Sequence, residues 1–121
     1  MTEDDLVRIR HMLDAARDAI SFAQGQSRES LDTNRMLTFA LIRAIEIIGE
    51  AASRVTDATR AAYPQLPWPQ IVGMRNRLIH AYFDVDLDRV WKTTSEEIPS
   101  LLTQLEGILS SRNTNDSERN S

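Results

Sequence analysis

Residues 39–48 read FALIRAIEII, and they form the centre of a helical segment that is apolar almost all round. A helix of this kind is covered on more than one side. The segment therefore predicts either the central helix of a bundle or a helix with one face against another subunit. The helical pattern extends from about Asp32 to Thr56 and contains Gly49, which costs about 1 kcal/mol relative to alanine. Close approach of another helix explains this glycine, and so does simple tolerance.

The chain before this segment predicts one more long helix. Apolar residues recur there at alternating spacings of three and four, which is typical of one face of a helix. Thr2 is the expected N-cap, because acidic residues follow it and favour the positive end of the helix. The pattern ends at Gly25. The apolar residues of this face are Leu6, Ile9, Leu13, Ala16, Ile20 and Ala23.

Proline and aspartate divide the second half of the chain. Asp57 is the expected N-cap of a short helix that reaches Tyr63 and stops at Pro64, because the residue before proline is disfavoured in the helical region. Pro69 can start the next helix, which we expect to reach His80 or Tyr82. A last helical region follows an N-cap at Asp86 or Asp88. Within that region, Pro99 either kinks the helix or opens a new segment at Ser95.

These elements predict an all-α bundle of four to five helices in one domain over residues 1–109. Residues 110–121 read SSRNTNDSERNS and contain no apolar residue. A segment of this composition cannot bury enough apolar surface to offset the entropy of ordering, so a disordered tail is expected there.

Composition excludes several classes of protein. The 121 residues carry 14 basic and 18 acidic side chains, a net charge of −4, and no cysteine. A disulfide framework, a thiol nucleophile and a cysteine zinc site are therefore impossible. Capture of nucleic acid by bulk positive charge is excluded as well. No signal peptide is readable in the acidic start of the chain, and no apolar stretch is long enough to span a bilayer. A cytoplasmic protein without a membrane association is expected.

One segment, residues 74–82 with the sequence MRNRLIHAY, gathers groups suited to phosphate chemistry. Arginine binds a phosphodiester bidentately and stabilises the extra charge of a transition state. Histidine exchanges a proton near neutral pH. On a helix, Arg75 and Tyr82 share one face, whereas Arg75 and His80 are offset by about 140°. A long guanidinium arm or a frayed helix end at His80 would bridge that offset.

The spacing alone also allows a purely structural interpretation of the same residues. Arg75 and Arg77 are then solvated helix charges, and His80 sits at a helix end because the dipole favours it.

Elsewhere, the alternating aspartates of residues 84, 86 and 88 resemble the start of a calcium loop, but the required glycine and glutamate are missing. A charged stripe of residues 43, 46, 50 and 54 predicts ordinary ion pairs, with a supporting role at the cleft possible for Glu50.

Arg75 to Tyr82 reads RNRLIHAY and resembles the R-x4-H-x-Y signature of HepT-type toxins in the HEPN superfamily. Further similar stretches occur in the same order as in that family, so the resemblance covers residues 3 to 109. These stretches are residues 47–52 (IIGEAA), 63–68 (YPQLPW), 71–74 (IVGM) and 86–91 (DLDRVW).

The resemblance implies a HEPN-like homodimer that acts as a metal-independent endoribonuclease, with two motifs facing each other across a cleft. Arg75 and His80 would be catalytic, with His80 as acid and base and Arg75 on the scissile phosphate. Asn76 would orient the site. Arg77 lies at a variable position of the signature and is given no catalytic role.

The resemblance also implies a partner. Tyr82 matches the tyrosine that a minimal nucleotidyltransferase antitoxin of the MntA type modifies with AMP, using ATP as the donor. The adduct would block RNA by occupying the cleft and opposing its charge. The ribonuclease itself would need no cofactor. The alternative function is a non-catalytic helical module that binds a nucleotide, RNA or a partner protein.

Overall fold

The computed structural model describes residues 1–80 and 84–120, with the backbone alone at His80 and over 113–120. Over these ranges the chain forms an all-α bundle, which confirms the predicted fold class. A 3₁₀ turn and a two-stranded antiparallel hairpin connect the fifth helix to the sixth. The elements are α1 (Glu3–Ala23), α2 (Ser30–Thr33), α3 (Arg35–Ser53), α4 (Asp57–Ala62), α5 (Trp68–Val72), the 3₁₀ turn (Arg75–Leu78), β1 (Ile79–His80), β2 (Asp84–Val85), α6 (Leu87–Lys92), a π-helical turn (Thr93–Glu97) and α7 (Ile98–Asn120).

Two predicted helix caps are confirmed, whereas the predicted cap at Asp57 is wrong because Thr56 is the N-cap of α4 and Asp57 its first residue. The Thr2 side chain accepts a hydrogen bond from the amide of Asp5 at 3.1 Å and starts α1. Asp86 accepts from the amide of Arg89 at 3.0 Å and starts α6. After α1, Gly25 has a φ of 76°, in the left-handed region that favours glycine. Capping depends on residues within one turn, which is why the sequence predicts it well.

The single helix predicted from Asp32 to Thr56 is wrong at its start. The structure divides it at Asn34, which ends α2 and caps α3 by accepting a hydrogen bond from the Leu37 amide at 3.0 Å. Asparagine favours such local side-chain bonds over a helix interior. At the other end, α3 stops at Ser53.

The core lies between α1, α3 and the α6–α7 region. Its fully buried side chains include Ile9, Met12, Leu41, Ile45, Ile48, Val90, Ile98, Leu105 and Ile108. Gly49 has a packing reason: a Cβ there would lie 3.3 Å from the carbonyl oxygen of Val72. The glycine thus lets α5 approach α3 closely, and this fixes the start of the segment that follows α5.

A buried carboxylate links the start of α1 to α4. Asp5 is only 1% exposed, and it accepts hydrogen bonds from the Thr56 amide and from the hydroxyls of Thr56 and Thr59. Burial by itself would raise the pKa of Asp5, but these hydrogen bonds outweigh that effect and lower its pKa below the ordinary value.

The C-terminal region runs on through Pro99 without a break. Proline has no amide hydrogen and its ring crowds the carbonyl four residues earlier; the π-helical turn just before it absorbs that misfit. Helix α7 then continues to Asn120, whereas composition predicts a disordered tail over residues 110–121. Arg112 lies 3.8 Å from Glu3, so a charge contact to α1 is available to the first turn of the polar segment. The domain boundary at residue 109 stays a prediction. Among the described residues, no helix is long and apolar enough to cross a bilayer.

Candidate active site

The segment predicted to carry the chemistry leaves α5 in a tight turn. Helix α5 ends at Val72, and the Gly73 amide donates to the carbonyl of Pro69 at 3.0 Å. The chain then forms the 3₁₀ turn over Arg75–Leu78, hereafter the arginine turn. The expectation of one α-helix reaching His80 or Tyr82 is therefore wrong.

The residues after the arginine turn are extended. Ile79 pairs with Val85, and His80 pairs with Asp84 across the antiparallel hairpin. The Asp86 amide also donates to the Leu78 carbonyl at 2.7 Å. These bonds join residues far enough apart in sequence that a local helical pattern does not reveal them. The helical offset of 140° between Arg75 and His80 consequently does not apply. Tyr82 lies outside the described residues.

Arg75 is held against α3 by an acidic side chain. Its Nε lies 3.3 Å from Oε1 of Glu46, which projects from the middle of α3. The Glu46 side chain is 24% exposed, whereas that of Arg75 is 53% exposed. The guanidinium is thus anchored on one side and open to solvent on the other. An arginine in this state can bind a phosphate without first leaving a buried pair.

Sequence reasoning assigned Glu46 only to a charged stripe and gave a possible supporting role to Glu50. The structure places Glu46, and not Glu50, against Arg75. Arg43 contacts Glu46 at 3.4 Å and Glu50 at 3.9 Å, so the predicted ion pairs form at Arg43, whereas Arg54 joins none within the described ranges. The two acids lie one helical turn apart, and only the fold could show which one meets the arginine turn.

An apolar surface surrounds this ion pair. A groove of about 240 Å³ is lined by Phe39, Ile42, Glu46, Arg75, Leu78, Ile79 and Val85. Phe39 is 57% exposed, and Met36, one turn earlier on α3, is 83% exposed. Ile79 and Val85 are exposed beside them. We call Met36, Phe39, Ile79 and Val85 the apolar face.

The other residues of the turn are placed differently. Asn76 is exposed, and its side chain makes no hydrogen bond to the part of the chain that the structure describes. Its predicted supporting role stays a prediction. Arg77 points away from Glu46 and donates from Nη2 to the Gln70 carbonyl at 2.6 Å.

The acidic residues near the hairpin serve the fold. Asp86 caps α6, and Asp88 binds Arg28 at 2.5 Å, which ties the loop before α2 to α6. Within residues 1–80 and 84–120, no group of three or more histidine, aspartate or glutamate side chains is placed to hold a metal ion.

Comparison with known proteins identifies the family of the chain. The family model described as "Ribonuclease HepT-like" matches residues 12–108, from α1 to the middle of α7 and including the arginine turn and hairpin. The chain therefore belongs to the HepT-like ribonuclease family, and it is a ribonuclease. No solved structure matches the chain.

Curated relatives show the same similarity. "Putative RNase MJ1380" of Methanocaldococcus jannaschii is 38% identical over 78% of this chain and 87% of its own length. "Putative RNase TTE0752" of Caldanaerobacter subterraneus subsp. tengcongensis is 38% identical over 84% of this chain and 90% of its own. "Probable ribonuclease HepT" of Thermococcus cleftensis is 48% identical over 58% of this chain and 64% of its own.

Proposed function

We propose that this ribonuclease is the toxin of a toxin–antitoxin pair and cleaves RNA internally without a metal ion. The observation that carries the proposal is the anchored but exposed guanidinium of Arg75, on the turn that leads into His80. The family membership favours this enzyme over the non-catalytic binding module.

In the proposed reaction His80 and Arg75 are the catalytic residues. His80 takes the proton of the ribose 2′-hydroxyl, and the resulting oxygen attacks the adjacent phosphorus. Arg75 stabilises the charge that builds up on the phosphate oxygens. The bond between phosphorus and the 5′-oxygen then breaks, and that oxygen receives a proton from the His80 imidazolium. The products are a 2′,3′-cyclic phosphate and a 5′-hydroxyl, and no metal-bound water is needed.

The proposal includes a homodimer. Phe39, Ile79 and Val85 are exposed apolar side chains that line one groove with Arg75, and Met36 is exposed one turn before Phe39 on α3. Exposed apolar patches of this kind mark interaction sites. A second copy seated on the apolar face would bring two Arg75 side chains into one cleft. Such a cleft would present two guanidiniums to RNA, each anchored on Glu46 and exposed on its other side.

Control by a partner completes the proposed function. An MntA-like nucleotidyltransferase would transfer AMP from ATP to the Tyr82 hydroxyl and release pyrophosphate. Tyr82 lies two residues after His80, so the added phosphate would oppose RNA near the proposed site. We place the pair in the cytoplasm, where its RNA substrate is found.

The test is cleavage of single-stranded RNA in EDTA by wild type, Arg75→Ala and His80→Ala. Both variants should lose at least a hundredfold in rate, a loss typical of removing a general base or a charge-stabilising group. Arg54→Ala removes an exposed arginine that makes no ion pair within the described ranges, and it should cleave like wild type. Equal rates for wild type and His80→Ala would refute the proposal.

A further inference from the structure

The arginine turn presents two different sides. In a 3₁₀ helix, residues three apart lie above one another. Arg75 and Leu78 accordingly line the groove beside Glu46. Met74 and Arg77 line a second cavity, of about 490 Å³, between α5 and the start of α7. One turn of backbone separates the two.

The floor and walls of this second cavity differ in chemistry. Buried apolar side chains, Ile71, Met74 and Leu101, form its floor. Polar side chains ring it: Gln65, Gln70, Gln104, Arg77, Glu96, Glu97 and Ser100. A buried apolar floor with amides and charges at the edge fits a planar heterocycle, whose face packs on apolar side chains while its edge forms hydrogen bonds.

Charge decides between a base and a phosphate. Glu97 is paired with Arg89 at 2.9 Å, and Glu96 offsets Arg77, so the cavity has no net positive charge that would attract a phosphate. Glu96 is exposed and has no ion-pair partner among the residues that the structure describes, so it is a free hydrogen-bond acceptor. An amino group on the ligand would satisfy it.

Arg77, the hydrogen-bond donor at the cavity edge, is held in place by the backbone. Arg77 donates to the Gln70 carbonyl at 2.6 Å, which fixes the guanidinium at the cavity edge. Gln104 is held in the same way, because its Nε2 donates to the Gln65 carbonyl at 3.2 Å and leaves its amide oxygen as an acceptor. The ring of polar groups therefore offers both a donor for a carbonyl oxygen and acceptors for an amino group.

We propose that this cavity is a base-specific subsite of the RNA substrate and takes an unpaired base that carries both a carbonyl and an amino group, guanine or cytosine. Arg77 donates to the carbonyl, and Glu96 accepts from the amino group. Adenine lacks the carbonyl and uracil lacks the amino group. The inference rests on the proposed function, since Arg77 at the cavity edge and Arg75 at the proposed site belong to the same 3₁₀ turn.

Binding of labelled hexauridylate tests the subsite separately from cleavage. The His80→Ala protein is titrated with U6 and with the same strand carrying one central G, C or A, at fixed low salt. The strands with G or C should bind about tenfold tighter than the other two, as expected for a good pair of base contacts. Glu96→Ala and Arg77→Ala should each abolish that preference, because alanine supplies neither the acceptor nor the donor.

Glu29→Ala is the matched control, because it removes an exposed glutamate outside the cavity and should keep the preference. Equal affinity for all four strands, undetectable binding included, overturns the subsite. So does a preference that survives in Glu96→Ala. Cleavage by wild type without base preference refutes the subsite alone, whereas base-selective binding without any cleavage in EDTA refutes the proposed reaction alone.

Discussion

Nε of Arg75 lies 3.3 Å from Oε1 of Glu46, although 29 positions separate the two residues in the chain. The contact joins the arginine turn to the centre of α3, and it leaves more than half of the arginine side chain exposed. Glu46 acts on the proposed chemistry through Arg75, so it is a positioning residue.

Glu46→Gln should separate the two steady-state constants. The kcat for RNA cleavage should fall about tenfold, because a misplaced guanidinium stabilises the transition state less well. KM should fall slightly, since one negative charge near the RNA is gone. Steady-state kinetics on one defined RNA measures both.

Glu50→Gln is the control for that experiment, because the substitution removes the same charge from the same helix. Glu50 contacts Arg43 at 3.9 Å. It should leave kcat within twofold of wild type. A Glu46→Gln protein with unchanged kcat and raised KM would contradict the positioning role.

Phe39→Asp should convert the proposed dimer into a monomer and abolish cleavage. A charge at the centre of the apolar face cannot be buried against a second copy without a large desolvation cost. Analytical ultracentrifugation at several protein concentrations reads the state of assembly. Val7→Asp, at an exposed apolar position on α1, should remain dimeric. A wild-type protein that stays monomeric at all concentrations argues against the dimer.

Asp5→Asn should lower the free energy of unfolding at pH 7 by about 1–3 kcal/mol, the range for a buried group that loses hydrogen bonds to its charge. The pKa of Asp5 is lowered in the folded chain, so its contribution is present at neutral pH and is lost as the pH falls through that lowered pKa. The difference between wild type and variant should therefore shrink in acid.

Urea unfolding at pH 7 and at pH 3 measures this change. Asp4→Asn is the matched control, because Asp4 is the exposed neighbour of Asp5 in the first turn of α1. It should unfold like wild type at both values. A constant difference between wild type and Asp5→Asn across the pH range would show that the Asp5 charge contributes nothing.

Co-expression with a cognate nucleotidyltransferase should add the mass of AMP to the wild-type protein and abolish its ribonuclease activity. Tyr82→Phe should gain no mass and stay active, because it has no hydroxyl to modify. Intact-protein mass spectrometry reads the adduct. Tyr63→Phe, whose tyrosine packs against the core, should be modified like wild type. AMP on Tyr82→Phe would place the modification elsewhere.

The sequence predicted the features that depend on residues within one helical turn. Thr2 and Asp86 cap helices because a capping bond spans three residues, and both caps are present. The family resemblance predicted the ribonuclease activity. Local pattern failed where distant residues decide: the pairing of Ile79 with Val85 makes the motif a turn and a strand, and Glu46 reaches Arg75 only in the folded bundle. Asn34 was missed because the apolar pattern continues on both sides of it.

The most direct test of the central claim uses a short RNA with one cleavage site and the same strand with a single 2′-deoxyribose there, both in EDTA. Attack by the 2′-oxygen predicts that the wild-type protein cuts the all-RNA strand to a 2′,3′-cyclic phosphate and a 5′-hydroxyl, and that the deoxy strand stays whole. Cleavage of the deoxy strand, or activity that returns only when Mg²⁺ is restored, would contradict the account.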